Sequence, residues 1–304
     1  MVLRIVPTMF PTVQDAIDVS SEGDSIKILA GKFDGFEVTV DNLKIFGCGI
    51  GRTIIEGAPA QGSSSGVSVG AERIILQNFT VQGFESGIFF QLSANQNLLK
   101  NIESKINRTS GFSISGTDHL VLDCVALLNG VGFDFGPLDE NTTLFRNKSF
   151  QNNTEGYRNI IEARRTRFVN NLAKRNEGAG FQLSGDRHQI LINTSLENTA
   201  QGIVFRDNRY NLIENKICNN LSNGIEVDIS VDSIIDSNIV RNNGTDMTDA
   251  GILVNNGVTG STIRFNKARN NSEFDIEAVP PADMNNTFDG NQCGSSDPPT
   301  ICGS

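Results

Sequence analysis

A glycine followed by an apolar–variable–apolar triplet recurs along most of the chain. Ile88 and Phe90 follow Gly87, Phe112 and Ile114 follow Gly111, and Phe133 and Phe135 follow Gly132. The pattern returns as Phe181/Leu183, Ile203/Phe205, Ile225/Val227 and Ile252/Val254. With Gly66 and Gly156 included, these glycines lie 21 to 27 residues apart, about 23 on average. Alternation at period two predicts a short strand with one face buried. A second landmark follows each glycine by 12 to 15 residues: Asn78, Asn101, Asp123, Asn147, Asn171, Asn193, Asn215, Asn238 and Asn266. Three positions before each stands an apolar side chain: Ile75, Leu98, Leu120, Leu144, Phe168, Ile190, Leu212, Ile235 and Ile263. A further Asn or Asn-Asn often closes the repeat, as at Asn107, Asn129, Asn152-Asn153, Asn176, Asn198, Asn219-Asn220, Asn242-Asn243 and Asn270-Asn271.

Strands this short cannot bury an apolar face alone, but stacked coils bury all of them in one continuous core. Asn tolerates the left-handed backbone of a corner, and its amide can bond its counterparts in the coils above and below. The glycine is expected to permit a tight turn. A leucine-rich repeat has a similar period, but its Leu-x-x-Leu-x-Leu consensus and helical segment are missing. The expected fold is all-β, a single-stranded right-handed parallel β-helix of about 11 coils. Thr12–Ser20 predicts a short amphipathic helix, with Thr12 as its cap and Val13, Ala16 and Ile17 on one face. Residues 1–22 then form an N-terminal cap, 23–291 the solenoid and 292–304 a tail bracketed by Cys293 and Cys302. That polar tail has no core of its own, so a disulfide across it is plausible. Cys48, Cys124 and Cys218 sit singly in apolar stretches, as small buried hydrophobes do.

Over roughly residues 24–290 this arrangement resembles the right-handed β-helices of the pectate-lyase-like superfamily. It is similar to bacterial β-helix repeat proteins of comparable length. The resemblance implies a polysaccharide-active protein. In lyases of the superfamily, a carboxylate-bound Ca²⁺ neutralises the substrate uronate while Arg or Lys removes the C5 proton. Ca²⁺ is thus the implied cofactor of a lyase reading. The superfamily's enzyme signatures are absent, including Asn-Thr-Asp with Gly-His-Gly, Trp-x-Asp-His, and Asp-Pro-His.

Composition supports the solenoid. The 34 Asn and 30 Gly of the 304 residues are poor helix formers. A hydrophobic content of 38% is enough for a core. No apolar run approaches the ~18 residues of a membrane span. The net charge of −10 disfavours nucleic acid as a partner. The N-terminus lacks a signal-peptide pattern, while the resemblance suggests an extracellular or cell-surface location.

The outward rows of the first strand can carry chemistry. One reads Phe89, Ser113, Asp134, Arg158, Gln182, Val204, Glu226 and Leu253; the next includes Arg206 and Asp228. Residues 146–209 hold eleven of the 25 Lys and Arg. In that stretch Arg164, Arg165, Arg187, His188, Arg209 and Tyr210 fall in successive turns. Guanidinium groups bind carboxylate or sulfate in bidentate fashion, so this patch is a candidate site for an acidic polysaccharide. The alternative is solvated turn residues paired with Asp186, Asp207 and Glu162. Asp134 beside Arg158 or Arg206 could serve a lyase, or Asp134 and Arg158 could form a cross-coil ion pair. Glu226 and Asp228, two apart on one strand, suit the acid and base of an inverting glycosidase, or Asp228 bonds Arg206. His119 and His188 read as surface turn residues lying too far apart to share a metal, and no metal site is expected. Two functions remain open: a lyase or hydrolase on an acidic glycan, or a non-catalytic surface, spore or phage-type scaffold binding glycans or proteins.

Overall fold

The computed structural model describes residues 1–57, 65–159 and 163–302. It is a right-handed parallel β-helix with three faces per coil. The first face stacks twelve parallel strands, from Phe36–Val38 to Ser296–Asp297, which makes about twelve coils rather than eleven. The glycine-led triplets are these strands, with Phe112 against Phe133 and Asp134 against Arg158 in register. The second face includes Leu120–Leu122, Thr143–Phe145 and Arg167–Val169. The third includes Val125–Leu127, Lys148–Phe150 and Leu172–Lys174. Inward side chains stack on their counterparts: the rings of Phe112, Phe133, Tyr157 and Phe181 are parallel, with centroids 4.6, 4.9 and 4.5 Å apart.

The N-terminal helix spans Val13–Asp18 and buries Val13, Ala16 and Ile17. Thr12 caps it by accepting from the Asp15 amide, and Asp15 accepts in return from the Thr12 amide. Below it, Leu3–Val6 adds a strand to Ser25–Ile28. At the other end Cys293 and Cys302 are disulfide-bonded, with Cα atoms 5.9 Å apart.

Each coil turns three corners, and most carry one residue with left-handed φ. The buried ladder residue is the one after it. Asn147, Asn171, Asn193, Asn215, Asn238, Asn266 and Asn291 form one ladder, each Oδ1 accepting the backbone amide of the coil before. Their Nδ2 groups donate onward and to backbone carbonyls, as Asn193 does to Phe168 at 2.8 Å. A second ladder climbs from Asn107 to Asn271 in the same way.

Three expectations need correction. Leu120 pairs with Thr143, not Leu144, so Asn78, Asn101 and Asp123 sit one position before the ladder column. They occupy the left-handed corner itself (φ 63°, 51° and 54°), a place later taken by Arg146 and even Ile192. Periodicity alone could not see this slip, because both columns follow an apolar strand at nearly the same distance. The role of the glycines also differs. A Cβ on Gly156 would lie 2.7 Å from the Gly180 carbonyl oxygen and 2.8 Å from the Asn176 amide nitrogen. Glycine is required there because the second ladder passes directly over the strand.

The third correction concerns the histidines. His119 and His188 are buried at the remaining corner, where a mixed ladder runs. Asn97 donates its backbone amide to His119 Nδ1 at 3.3 Å, and Thr166 donates to His188 Nδ1 at 3.1 Å. Ser233, Ser261 and Asn286 continue the column. Burial holds both histidines well below their usual pKa, at about 4. Between them Asp139 is buried, accepting from the hydroxyls of Thr142 and Thr166, and burial raises its carboxyl to about 7.

Candidate functional site on the first face

Alternation on the first face places Phe89, Ser113, Asp134, Arg158, Gln182, Val204, Glu226 and Leu253 outward in one row, as expected. Arg158 grips Asp134 with two hydrogen bonds of 3.0 and 2.8 Å. That fork, and the Asp134 charge, raise the Arg158 pKa above its usual value. On the other side of the guanidinium stands Glu155, 3.7 Å away. Its Oε2 is buried without a hydrogen-bond partner. Arg206 pairs with Asp228 at 2.6 Å. Glu226 accepts from Gln201 at 2.8 Å and Asn223 at 3.0 Å. The two carboxylates therefore have separate partners.

The turn arginines are largely neutralised. Arg165 meets Glu140 at 2.9 Å, and Arg209 forks onto Asp186 at 2.9 and 2.7 Å, with Arg187 3.6 Å from the same carboxylate. Arg209 holds the Asp186 carboxyl below the usual range. Arg164 makes no ion pair among the described residues and lines a hollow of about 340 Å³ with Thr117, Leu138, Asp139 and Glu140. His188 and Tyr210 are fully buried and cannot touch a surface ligand. Tyr210 packs under His188, centroids 5.1 Å apart, as part of the core. Its apolar ring fills the corner below the Ser233 rung, which the turn sequence did not reveal. Glu162 lies outside the described residues.

Another hollow on this face lies near the N-terminal end. It encloses about 620 Å³ between Gln14, Glu37, Ser65, Ser68, Ser86 and Phe89. Phe89 is 36% exposed although most Phe point inward. Gln91 reaches over to Glu37 and Ser68 at 3.1 and 3.2 Å. Phe89 was legible in the outward row, whereas the hollow needed the helix residue Gln14 to be seen beside it. No cluster of three or more metal-ligating side chains occurs among the described residues. No described helix is long and apolar enough to cross a membrane.

The family model for a right handed beta helix region matches residues 140–293. No curated protein matches the sequence. Among solved structures, the A-module of mannuronan C-5 epimerase AlgE6 from Azotobacter vinelandii is similar, with a TM-score of 0.78 and 16% identity. It covers 92% of this chain and 87% of that module. The AlgE4 A-module of the same organism gives 0.76 at 14% identity, covering 93% and 90%. A mannuronic acid specific polysaccharide family 6 lyase from human gut microbiota gives 0.56 at 13%, covering 96% and 87%. At these identities the likeness is one of fold.

Proposed function

Since the chain belongs to the right-handed β-helix family, we propose that it binds a polysaccharide along its first face. The Phe89 hollow carries this reading. An exposed aromatic ring offers a sugar its apolar face. Around it Gln14, Glu37, Ser65, Ser68 and Ser86 supply the few convergent polar groups that a binding site uses to fix orientation. The row beyond it, from Ser113 through Asp134 and Arg158 to Gln182, continues a polar track up the solenoid. The similar folds belong to proteins whose names place them on mannuronan and a mannuronic acid polysaccharide, which fits a glycan partner. The acidic character inferred from the basic turns is weaker on this face, because those arginines are occupied.

A catalytic role has one specific observation in its favour. Glu155 and Asp134 flank the one Arg158 guanidinium, which sets two carboxylates and a cation together on the outward row. Glu155 would then act as the acid or base of a lyase or hydrolase. Affinity electrophoresis against a panel of neutral and uronate polysaccharides tests binding. Retardation by a neutral polysaccharide that Phe89→Ala abolishes supports the reading, and no retardation by any polymer, or retardation that Phe89→Ala leaves unchanged for every neutral polymer, overturns it. New reducing ends or unsaturated products, lost in Glu155→Gln, identify catalysis.

A further inference from the structure

A charge imbalance lies on the third face, away from the turns of residues 146–209. Six strands stack there in register from Lys148–Phe150 to Lys267–Arg269. Their first outward column reads Lys148, Leu172, Thr194, Lys216, Ile239 and Lys267. The second reads Phe150, Lys174, Leu196, Cys218, Arg241 and Arg269. Six of these twelve positions are cationic and none is acidic. Lys148, Lys216, Arg241, Lys267 and Arg269 are exposed and make no ion pair among the described residues. Lys174 is 3.7 Å from Glu197 at the adjoining corner.

Several arginines elsewhere on the solenoid are matched to a carboxylate one coil away. Asp123 with Arg146, Asp134 with Arg158, Asp228 with Arg206 and Asp236 with Arg264 each set one carboxylate opposite one guanidinium across a single coil step. Arg241 and Arg269 are instead directly opposite each other. Like charges facing across a ladder are destabilising, and this pair stands in a chain of net charge −10.

We infer that the third face is a second binding site, for an extended acidic polysaccharide lying parallel to the solenoid axis. Coils rise about 4.8 Å apiece, so the strip runs for about 24 Å with its charges at multiples of one step. That interval is comparable to the length of a sugar residue, matching a polymer with one carboxylate or sulfate per unit. Arg241 and Arg269 present forks suited to those groups, and Lys216 and Lys267 add point charges. The side-chain amides of Asn219 and Asn242, linked at 3.2 Å along the adjoining corner, provide hydroxyl contacts. Duplex nucleic acid, with a charge every ~1.7 Å of axis, is too dense for so narrow a strip on an acidic protein.

The test uses the full chain and polygalacturonate, with dextran and single-stranded DNA as comparisons. Polygalacturonate should bind at low salt and weaken as salt rises, and dextran should not compete at this strip. Arg241→Glu with Arg269→Glu should weaken polygalacturonate at least about tenfold, whereas Arg52→Glu with Lys100→Glu, an equal change in net charge, should not. The neutral pair Arg241→Gln and Arg269→Gln should also weaken binding without lowering the thermal midpoint, since it removes a repulsion. Equal losses from both Glu pairs, tighter binding to DNA, or no polygalacturonate binding overturns the inference. Phe89→Ala separates the two sites: it should leave the salt-sensitive binding intact whether or not the first face holds a glycan.

Discussion

Replacing Asn152 by Ala tests whether the ladders hold the coils together. Asn152 Oδ1 accepts the Asn129 backbone amide at 2.9 Å and the Asn129 side-chain amide at 3.2 Å. Its Nδ2 donates to Ser149 Oγ and Asn176 Oδ1, both at 2.9 Å. Every one of these groups is buried. The substitution leaves the Asn129 backbone amide with no acceptor, while the Asn129 side chain retains its bond to the Ser104 carbonyl. Asn176 Oδ1 retains the Asn152 backbone amide. One fully orphaned donor and one half-satisfied amide, at about 1–3 kcal/mol per buried orphan, give an expected loss of about 2–4 kcal/mol. Asn153, the next residue, is exposed, and its replacement by Ala should change stability by no more than about 0.5 kcal/mol. Urea unfolding followed by circular dichroism compares the two. Hydrogen exchange would show whether the Asn129 amide loses protection. A loss for Asn152→Ala no greater than that for Asn153→Ala would refute the reasoning.

Acidification should destabilise the fold through its histidines. Each is held near 4 while an unfolded histidine titrates near 6.5, so between those values the unfolded chain takes up the protons and stability falls as pH drops. Each contributes a slope of about 1.4 kcal/mol per pH unit. Asp139, raised to about 7, binds its proton in the folded state and opposes one of them over that window. His188→Asn retains a ladder-type side chain, so its thermal midpoint should fall less steeply than the wild type's between pH 6.5 and 4. Parallel pH profiles would count against it. Gly156→Ala should cost about 1–3 kcal/mol by forcing its Cβ against the Gly180 carbonyl and the Asn176 amide. A thermal midpoint unchanged from wild type would show that the ladder yields at that point.

Much of the architecture was legible because strand alternation is local. Phe112 and Ile114 point inward and Ser113 outward for reasons contained in three residues. The period of the glycines announced the coil, and Thr12 with Asp15 announced the capped helix. Tertiary structure decided whatever depends on the neighbour one coil away, some 22 residues along the chain. A one-residue slip at a corner separates Asp123, on the surface beside Arg146, from Asn147, inside the ladder, although both follow the same kind of strand. The same distance hid the partners of Arg158 and Arg209, so their charges looked free when carboxylates stood over them. It also hid Arg241 and Arg269, unremarkable along the chain yet stacked without a counter-charge. The coil is written in residues a few positions apart, whereas the surface it presents is set by register between coils.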